Sequence, residues 1–301
     1  MGSRSYSIRI PGAYPPRLYA DACSAGWLNA NVTRVINKMM IETEPIELPY
    51  TDAGNGPAVV LLHGYPFDRS MWPEQIDFLT AHGFRVVAPD LRGFGVMSDK
   101  LRRSISTMSD MAQDVARLMD ELKIDQASIC GLSMGGYVAF EFAHLFPSRV
   151  RALILAGTRA PADNEQEKQA RAQQVEQMLA NDMNEIGEAT LPKLLAPRTL
   201  AEKREVVARV REMILRADPE GAAAAQRGMA ARRDYSDDLP NINVPSLIIV
   251  GRHDPIRPVA DAEFMHRGLK ESRLEIIEDA AHMTNLEQPE TFNRALERFL
   301  V

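Results

Sequence analysis

Gly131-Leu132-Ser133-Met134-Gly135 sets a serine between two glycines, directly after the apolar run Ala127-Ser128-Ile129-Cys130 and directly before a helix-like stretch, Tyr137 to Phe146. A sharp strand-to-helix turn forces its central residue into strained backbone angles, and its neighbours must be small so that the strand and helix backbones can approach. The turn lifts the serine oxygen above the sheet edge at a helix N-terminus. There, free N–H groups and the helix dipole favour negative charge, as acyl transfer requires. The short pattern alone is weak, but a strand before it and a helix after it make it specific.

Outward from this turn, short apolar runs alternate with helical patterns. The reading predicts strands over Ala58–Leu62, Arg85–Ala88, Ala127–Cys130 and Val150–Ala156, with helices over Trp72–His82, Met108–Leu122 and Met134–Phe146. Strand, helix, strand at this spacing predicts a mostly parallel, doubly wound α/β sheet with helices on both faces. Ligands in such sheets bind beyond the carboxyl ends of the strands. From about Thr158 to Asn241 the strand pattern stops, and helical runs replace it at Glu165–Leu179, Leu200–Arg216 and Ala222–Arg233. Strands resume at Ser246–Val250 and Leu274–Ile277, and a helix over Pro289–Phe299 closes the chain. The expected organisation is an N-terminal extension over 1–38, an α/β core over 39–157 and 242–301, and an inserted all-helical segment over 158–241. The extension scatters Pro11, Pro15 and Pro16 among Ser, Gly, Tyr and Asn without a sustained period; either it lies apart from the core or a short helix near Leu28–Lys38 serves as a lid or dimer arm. A first strand is expected within Ile41–Asp52.

The chain has 301 residues, 45% hydrophobic and 25% charged, which is enough material for a sizeable core. Its formal charge of −6, without a block of Lys or Arg, offers no footprint for nucleic acid. No apolar run reaches the roughly 18 residues of a membrane span, and no secretory signal opens the chain, so the expected location is the cytoplasm. Cys23 and Cys130 are too few for a disulfide framework. His82, His144 and His266 lack the spacing of metal ligands, and neither a metal nor a cofactor is expected.

A serine hydroxyl needs an adjacent general base, itself oriented by a carboxylate. Asp254 follows the run Leu247-Ile248-Ile249-Val250-Gly251, and His282 follows the next strand's exit. Ser133, Asp254 and His282 therefore leave the sheet at one edge, in that chain order, and are the candidate triad. After Ala58–Leu62 come His63-Gly64-Tyr65-Pro66, so the backbone N–H groups of Tyr65 and Met134 are the candidate oxyanion hole. His63 reads as a residue that orders its loop. Asp90 and Arg92, beside glycines after a strand, read as turn-ordering residues ahead of substrate contacts, and Ala222–Ala225 as simply helix-favouring.

From about residue 41 to 301 the chain resembles the α/β-hydrolase superfamily. The motifs that carry the resemblance are His63-Gly64-Tyr65-Pro66, Pro89-Asp90-Leu91-Arg92-Gly93-Phe94-Gly95, Gly131-Leu132-Ser133-Met134-Gly135-Gly136, Gly251-Arg252-His253-Asp254, Ala281-His282 and Glu287-Gln288-Pro289. They are similar to the lipase, esterase and enol-lactonase branch. The resemblance implies triad roles for Ser133, Asp254 and His282, and makes the helical insertion a cap that roofs the pocket. At Gly95-Val96-Met97-Ser98 the chain departs from the family, whose serine usually stands one residue earlier. Epoxide hydrolases and haloalkane dehalogenases of this fold carry an aspartate where Ser133 stands, and the insertion has one tyrosine, Tyr235, where epoxide opening uses two. The expected activity is hydrolysis of small carboxylic esters or lactones by a monomer or homodimer. Carbon–carbon bond hydrolases, cofactor-free perhydrolases and aminopeptidases share the triad, and a ligand receptor that kept the fold is the reading from another class.

Overall fold

The computed structural model describes residues 48–95, 105–180 and 183–301; the extension 1–38, the start of the expected first strand and the Val96–Ser98 departure lie outside them. Among the described residues seven strands form one sheet: β1 (Tyr50–Ala53), β2 (Ala58–Leu62), β3 (Arg85–Pro89), β4 (Ala127–Leu132), β5 (Val150–Ala156), β6 (Ser246–Gly251) and β7 (Ser272–Ile277). Their order is β1-β3-β2-β4-β5-β6-β7, with β1 antiparallel to β3 and the other neighbours parallel. Strands β2, β4 and β6 are buried at every position, as central strands covered on both faces must be.

Helices α1 (Pro73–Ala81), α2 (Met108–Glu121) and α3 (Met134–Leu145) connect the first strands. Thr107 and Asp110 form a capping box that starts α2: the Asp110 N–H donates to Thr107 Oγ1 at 3.0 Å, and the Thr107 N–H to Asp110 Oδ2 at 3.1 Å. The helix then buries Met108, Met111, Ala112, Val115, Leu118 and Met119, one face at helical period. Helix α3 is buried continuously from Met134 to Phe142, so the segment after Ser133 has no freedom to fray.

Between β5 and β6 the described residues form five α-helices, α4 (Glu165–Ala180), α5 (Met183–Leu194), α6 (Pro197–Glu202), α7 (Arg204–Arg216) and α8 (Pro219–Ala230), followed by a 3-10 turn at Ser236–Asn241. The run expected as one helix over Leu200–Arg216 breaks at Lys203, whose backbone leaves helical angles while its ammonium donates to the Glu287 carbonyl. Helix α5 escaped the sequence reading because Gly187 and Pro192 interrupt its pattern. The alanines of α8 do more than favour a helix. Ala222–Ala225 are buried, a Cβ on Gly221 would stand 2.0 Å from the Gly93 carbonyl oxygen, and one on Gly228 would stand 1.7 Å from that of Ser106. Small residues let α8 press against the loops that leave β3. After β6 come α9 (Val259–Gly268), β7, the single turn α10 (Thr284–Glu287) and α11 (Pro289–Leu300). Glu47–Val301 forms one compact unit. Among the described residues no helix is long and apolar enough to cross a membrane.

Candidate active site

Ser133 occupies φ 56° and ψ −112°, a left-handed conformation that costs a non-glycine residue about 1–3 kcal/mol. The surroundings impose it. The Ser133 N–H donates to the Ala156 carbonyl at 2.8 Å, and the Ser133 carbonyl accepts from Thr158 Oγ1 at 2.9 Å. A Cβ on Gly131 would lie 2.1 Å from the Gly135 carbonyl oxygen, and one on Gly135 would lie 2.1 Å from that of Leu62. Both glycines are therefore steric requirements of the turn.

Asp254 leaves β6 and His282 leaves β7 at the same sheet edge, and His282 Nδ1 lies 2.7 Å from Asp254 Oδ2. Both side chains are buried. The other carboxylate oxygen, Oδ1, accepts from the Ile256 and Arg257 N–H groups at 2.8 and 2.9 Å, which locks the carboxylate plane. A carboxylate only accepts, so the shared proton sits on Nδ1 and leaves Nε2 as the imidazole's base. The His282 loop is itself pinned: the N–H groups of His282 and Met283 both donate to the Leu194 carbonyl at 3.1 Å. Glu287, fully buried, accepts from the Ala281 N–H at 2.7 Å and from the Ala196 N–H at 2.6 Å, stitching this loop to the end of α5. Burial raises its carboxyl above the usual range.

Ser133 and His282 line one cavity of about 410 Å³, walled by Tyr65, Met178, Ile186, Ile214 and Met229. The serine hydroxyl forms no hydrogen bond to His282, a looseness common in substrate-free acyl-transfer sites. Met134, first residue of α3, has a backbone N–H without an intrahelical acceptor. Tyr65 borders the same cavity, and its loop is set close to the serine because a Cβ on Gly64 would already press Leu132 at 3.1 Å.

His63 orders that loop. Its Nε2 accepts from the Leu91 N–H at 2.8 Å and its Nδ1 meets the Gly64 carbonyl at 2.9 Å, which fixes a neutral imidazole with the proton on Nδ1. Burial pulls its pKa down from 6.5 to about 4. Below pH 6.5 the unfolded chain takes a proton that the folded one refuses, so this residue's contribution to stability falls as pH drops toward 4. Asp90, pushed by burial up to about 6, works in the opposite sense, gaining stability as pH falls through 6. The wild type alone therefore conceals the effect. In urea unfolding, the stability difference between wild type and His63→Asn is expected to narrow by about 2–3 kcal/mol from pH 7 to pH 4.5; a constant difference would mean His63 titrates normally.

Asp90 and Arg92 are structural. Asp90 accepts from the Arg69 N–H at 2.8 Å and pairs with its guanidinium, while Arg92 forms a buried bidentate pair with Asp114 at 2.8 Å on both arms. Tyr235 is buried outside the cavity and donates to Glu141 at 2.8 Å. Among the described residues no three His, Cys, Asp or Glu side chains group as a metal site. Sequence reasoning missed a charged group on the cavity wall: Tyr137, Arg257, Arg171 and Asp163. Tyr137 stands four residues after Ser133 on a helix, and Arg257 three after Asp254, and this spacing was the available signal.

The strained serine on a strand-to-helix turn, above a mostly parallel sheet and beside a bonded Asp–His pair, defines a class. The chain belongs to the α/β-hydrolase family, whose model, described as an alpha/beta hydrolase fold, matches residues 57–289. It is 31% identical over 262 residues to 3-oxoadipate enol-lactonase 2 of Acinetobacter baylyi, covering 86% of this chain and 95% of that protein. A thermophilic esterase from Thermogutta terrifontis aligns with a TM-score of 0.83 at 40% identity, covering 86% of this chain and 95% of its own. The enol-lactonase from Burkholderia xenovorans aligns at 0.79 and 29% identity, covering 85% and 97%.

Proposed function

We propose that this chain is a carboxylic ester hydrolase that works through a serine acyl-enzyme. Ser133 attacks the ester carbonyl, His282 Nε2 takes its proton and returns it to the leaving alcohol, and Asp254 holds the imidazole and stabilises its charged form. The N–H groups of Tyr65 and Met134 hold the oxyanion; each such donor contributes about 2.7–4 kcal/mol to the transition state. Water activated by His282 then releases the acid. The observation that carries the reading is the 2.7 Å Asp254–His282 pair opening on the cavity that the strained Ser133 also lines. Residues 158–241 act as the cap, because α4, α5, α7 and α8 contribute Met178, Ile186, Ile214 and Met229 to the cavity wall opposite the sheet edge. Small acyl or alcohol groups fit a space of this size. Lactones are the second reading, favoured by the likeness to two proteins named enol-lactonases.

Two measurements test the proposal together. The protein is expected to turn over p-nitrophenyl butyrate steadily at neutral pH, and diethyl p-nitrophenyl phosphate is expected to stop it with a diethylphosphoryl mass added to the peptide that holds Ser133. A label on another residue, or full activity after complete labelling of Ser133, would overturn it. A single burst without further turnover would make the chain a binding protein that kept the fold.

A further inference from the structure

One wall of the cavity carries an arginine and a buried phenol that the proposed ester chemistry does not use. Tyr137 is 1% exposed and borders the cavity one helical turn after Ser133. Its hydroxyl accepts two N–H groups of Arg257, from Nε at 3.0 Å and Nη2 at 2.5 Å, while Arg257 Nη1 donates to the Ile256 carbonyl at 2.7 Å. A phenol has one hydrogen and two lone pairs. Both lone pairs are engaged by Arg257, and the hydrogen has no acceptor among the described residues. Arg257 uses three of a guanidinium's five N–H groups in these contacts and forms no ion pair with a carboxylate among the described residues.

The surroundings reinforce this. Arg232 lies over the Tyr137 ring at 4.1 Å. Asp163 holds three guanidiniums, those of Arg159, Arg171 and Arg232, at 2.7, 2.5 and 2.7 Å, and Glu167 shares Arg159 at 2.8 Å. With Arg257 this makes four guanidiniums; Asp163 and Glu167 bond three of them, and Asp261 and the triad's Asp254, whose Oδ1 accepts the Arg257 backbone N–H, are acids near the fourth. Burial alone would raise the Tyr137 phenol, yet Arg257, Arg232 and Arg171 outweigh it and hold the group below its usual value.

We infer that Arg257 and Tyr137 form a carboxylate-binding subsite, so that the substrate is an ester or lactone bearing a free carboxylate away from its scissile bond. The inference rests on the serine hydrolase reading. The carboxylate would take the Tyr137 O–H and the unused N–H groups of Arg257, charge-assisted bonds in a site largely withdrawn from water. Arg257 is then a specificity residue on the loop that also anchors Asp254, and the carboxylate's position relative to Ser133 selects chain length.

The test compares pairs of esters in which one member ends in a carboxylate where the other ends in an alkyl group. Monomethyl glutarate against methyl valerate places the carboxylate on the acyl side; butyryloxyacetate against propyl butyrate places it on the alcohol side. In the wild type, kcat/KM is expected to favour the anionic member of one pair by at least about tenfold, which also fixes the side. In Arg257→Gln that ratio is expected to fall about 10–100-fold, in Tyr137→Phe about 3–10-fold, with Arg257→Lys recovering part of it. Glutarate followed by calorimetry reads the subsite without turnover, and its affinity is expected to weaken at least tenfold in Arg257→Gln. A wild type that prefers the neutral esters, or ratios and glutarate affinity unmoved by Arg257→Gln, would overturn the subsite. Methyl valerate hydrolysis that survives Ser133→Ala would instead overturn the serine mechanism and leave the glutarate result standing.

Discussion

Ser133→Ala is expected to lower kcat for p-nitrophenyl butyrate by about 10⁴–10⁶-fold while the protein keeps its fold. The size of the loss follows from the chemistry: without a hydroxyl no acyl-enzyme forms, and only direct attack by water in the oxyanion site remains, worth about 10³–10⁴ over solution. The retention of fold follows from the geometry. Every contact that holds position 133 is made by its backbone, through Ala156, Thr158 and the first turn of α3, and the side-chain oxygen has no hydrogen bond within the described residues. Alanine accepts the same strained angles at comparable cost, so an unfolding midpoint close to wild type is the expected companion result. A variant that retained more than about a hundredth of wild-type kcat would remove Ser133 from the mechanism, because no residual pathway is that efficient.

The fold was legible because its decisive signals are local. A buried parallel strand is a short apolar run, and β2, β4, β5 and β6 read that way within a residue or two at either end. The serine turn needs small neighbours, and Gly131 and Gly135 announce it in five residues. Asp254 and His282 were placed together by a topological argument, since strand ends of a parallel sheet converge on one edge. Other elements have no such local signature. Helix α5 contains Gly187 and Pro192, and α9 buries only Ala262 and Met265, too little apolar pattern to stand out. Lys203 splits the expected helix through a contact with Glu287, which is 84 positions away in the chain. The arginine-bearing wall was the least legible. Asp163 gathers Arg159, Arg171 and Arg232 from three segments, and only folding shows that Arg257 is left over. Arg232 neighbours Arg233 in a charged stretch of the sequence, and only the fold buries its side chain wholly over Tyr137.

The second large effect belongs to Asp254→Asn, and here the expected loss comes from the wrong proton rather than the wrong shape. In the folded protein Oδ1 of Asp254 accepts two N–H groups, from Ile256 and Arg257, and an asparagine satisfies both only by placing its carbonyl oxygen there. Its NH₂ must then face His282 Nδ1, at the position where Oδ2 lies 2.7 Å away. A donor at that point forces Nδ1 to accept, which moves the imidazole proton to Nε2. The nitrogen that should take the Ser133 proton is then already protonated, and kcat is expected to fall about 10⁴-fold at neutral pH with KM little changed. Asp254→Ala breaks the same pair differently: it leaves the Ile256 and Arg257 N–H groups without their acceptor and frees the loop that carries Arg257. It is therefore expected to lose stability of about 1–3 kcal/mol as well as activity. The asparagine variant should show a near-normal unfolding curve with crippled turnover that recovers toward high pH, where hydroxide substitutes for the missing base. Equal damage to stability in both variants, or normal turnover in the asparagine form, would show that Asp254 does not set the tautomer of His282.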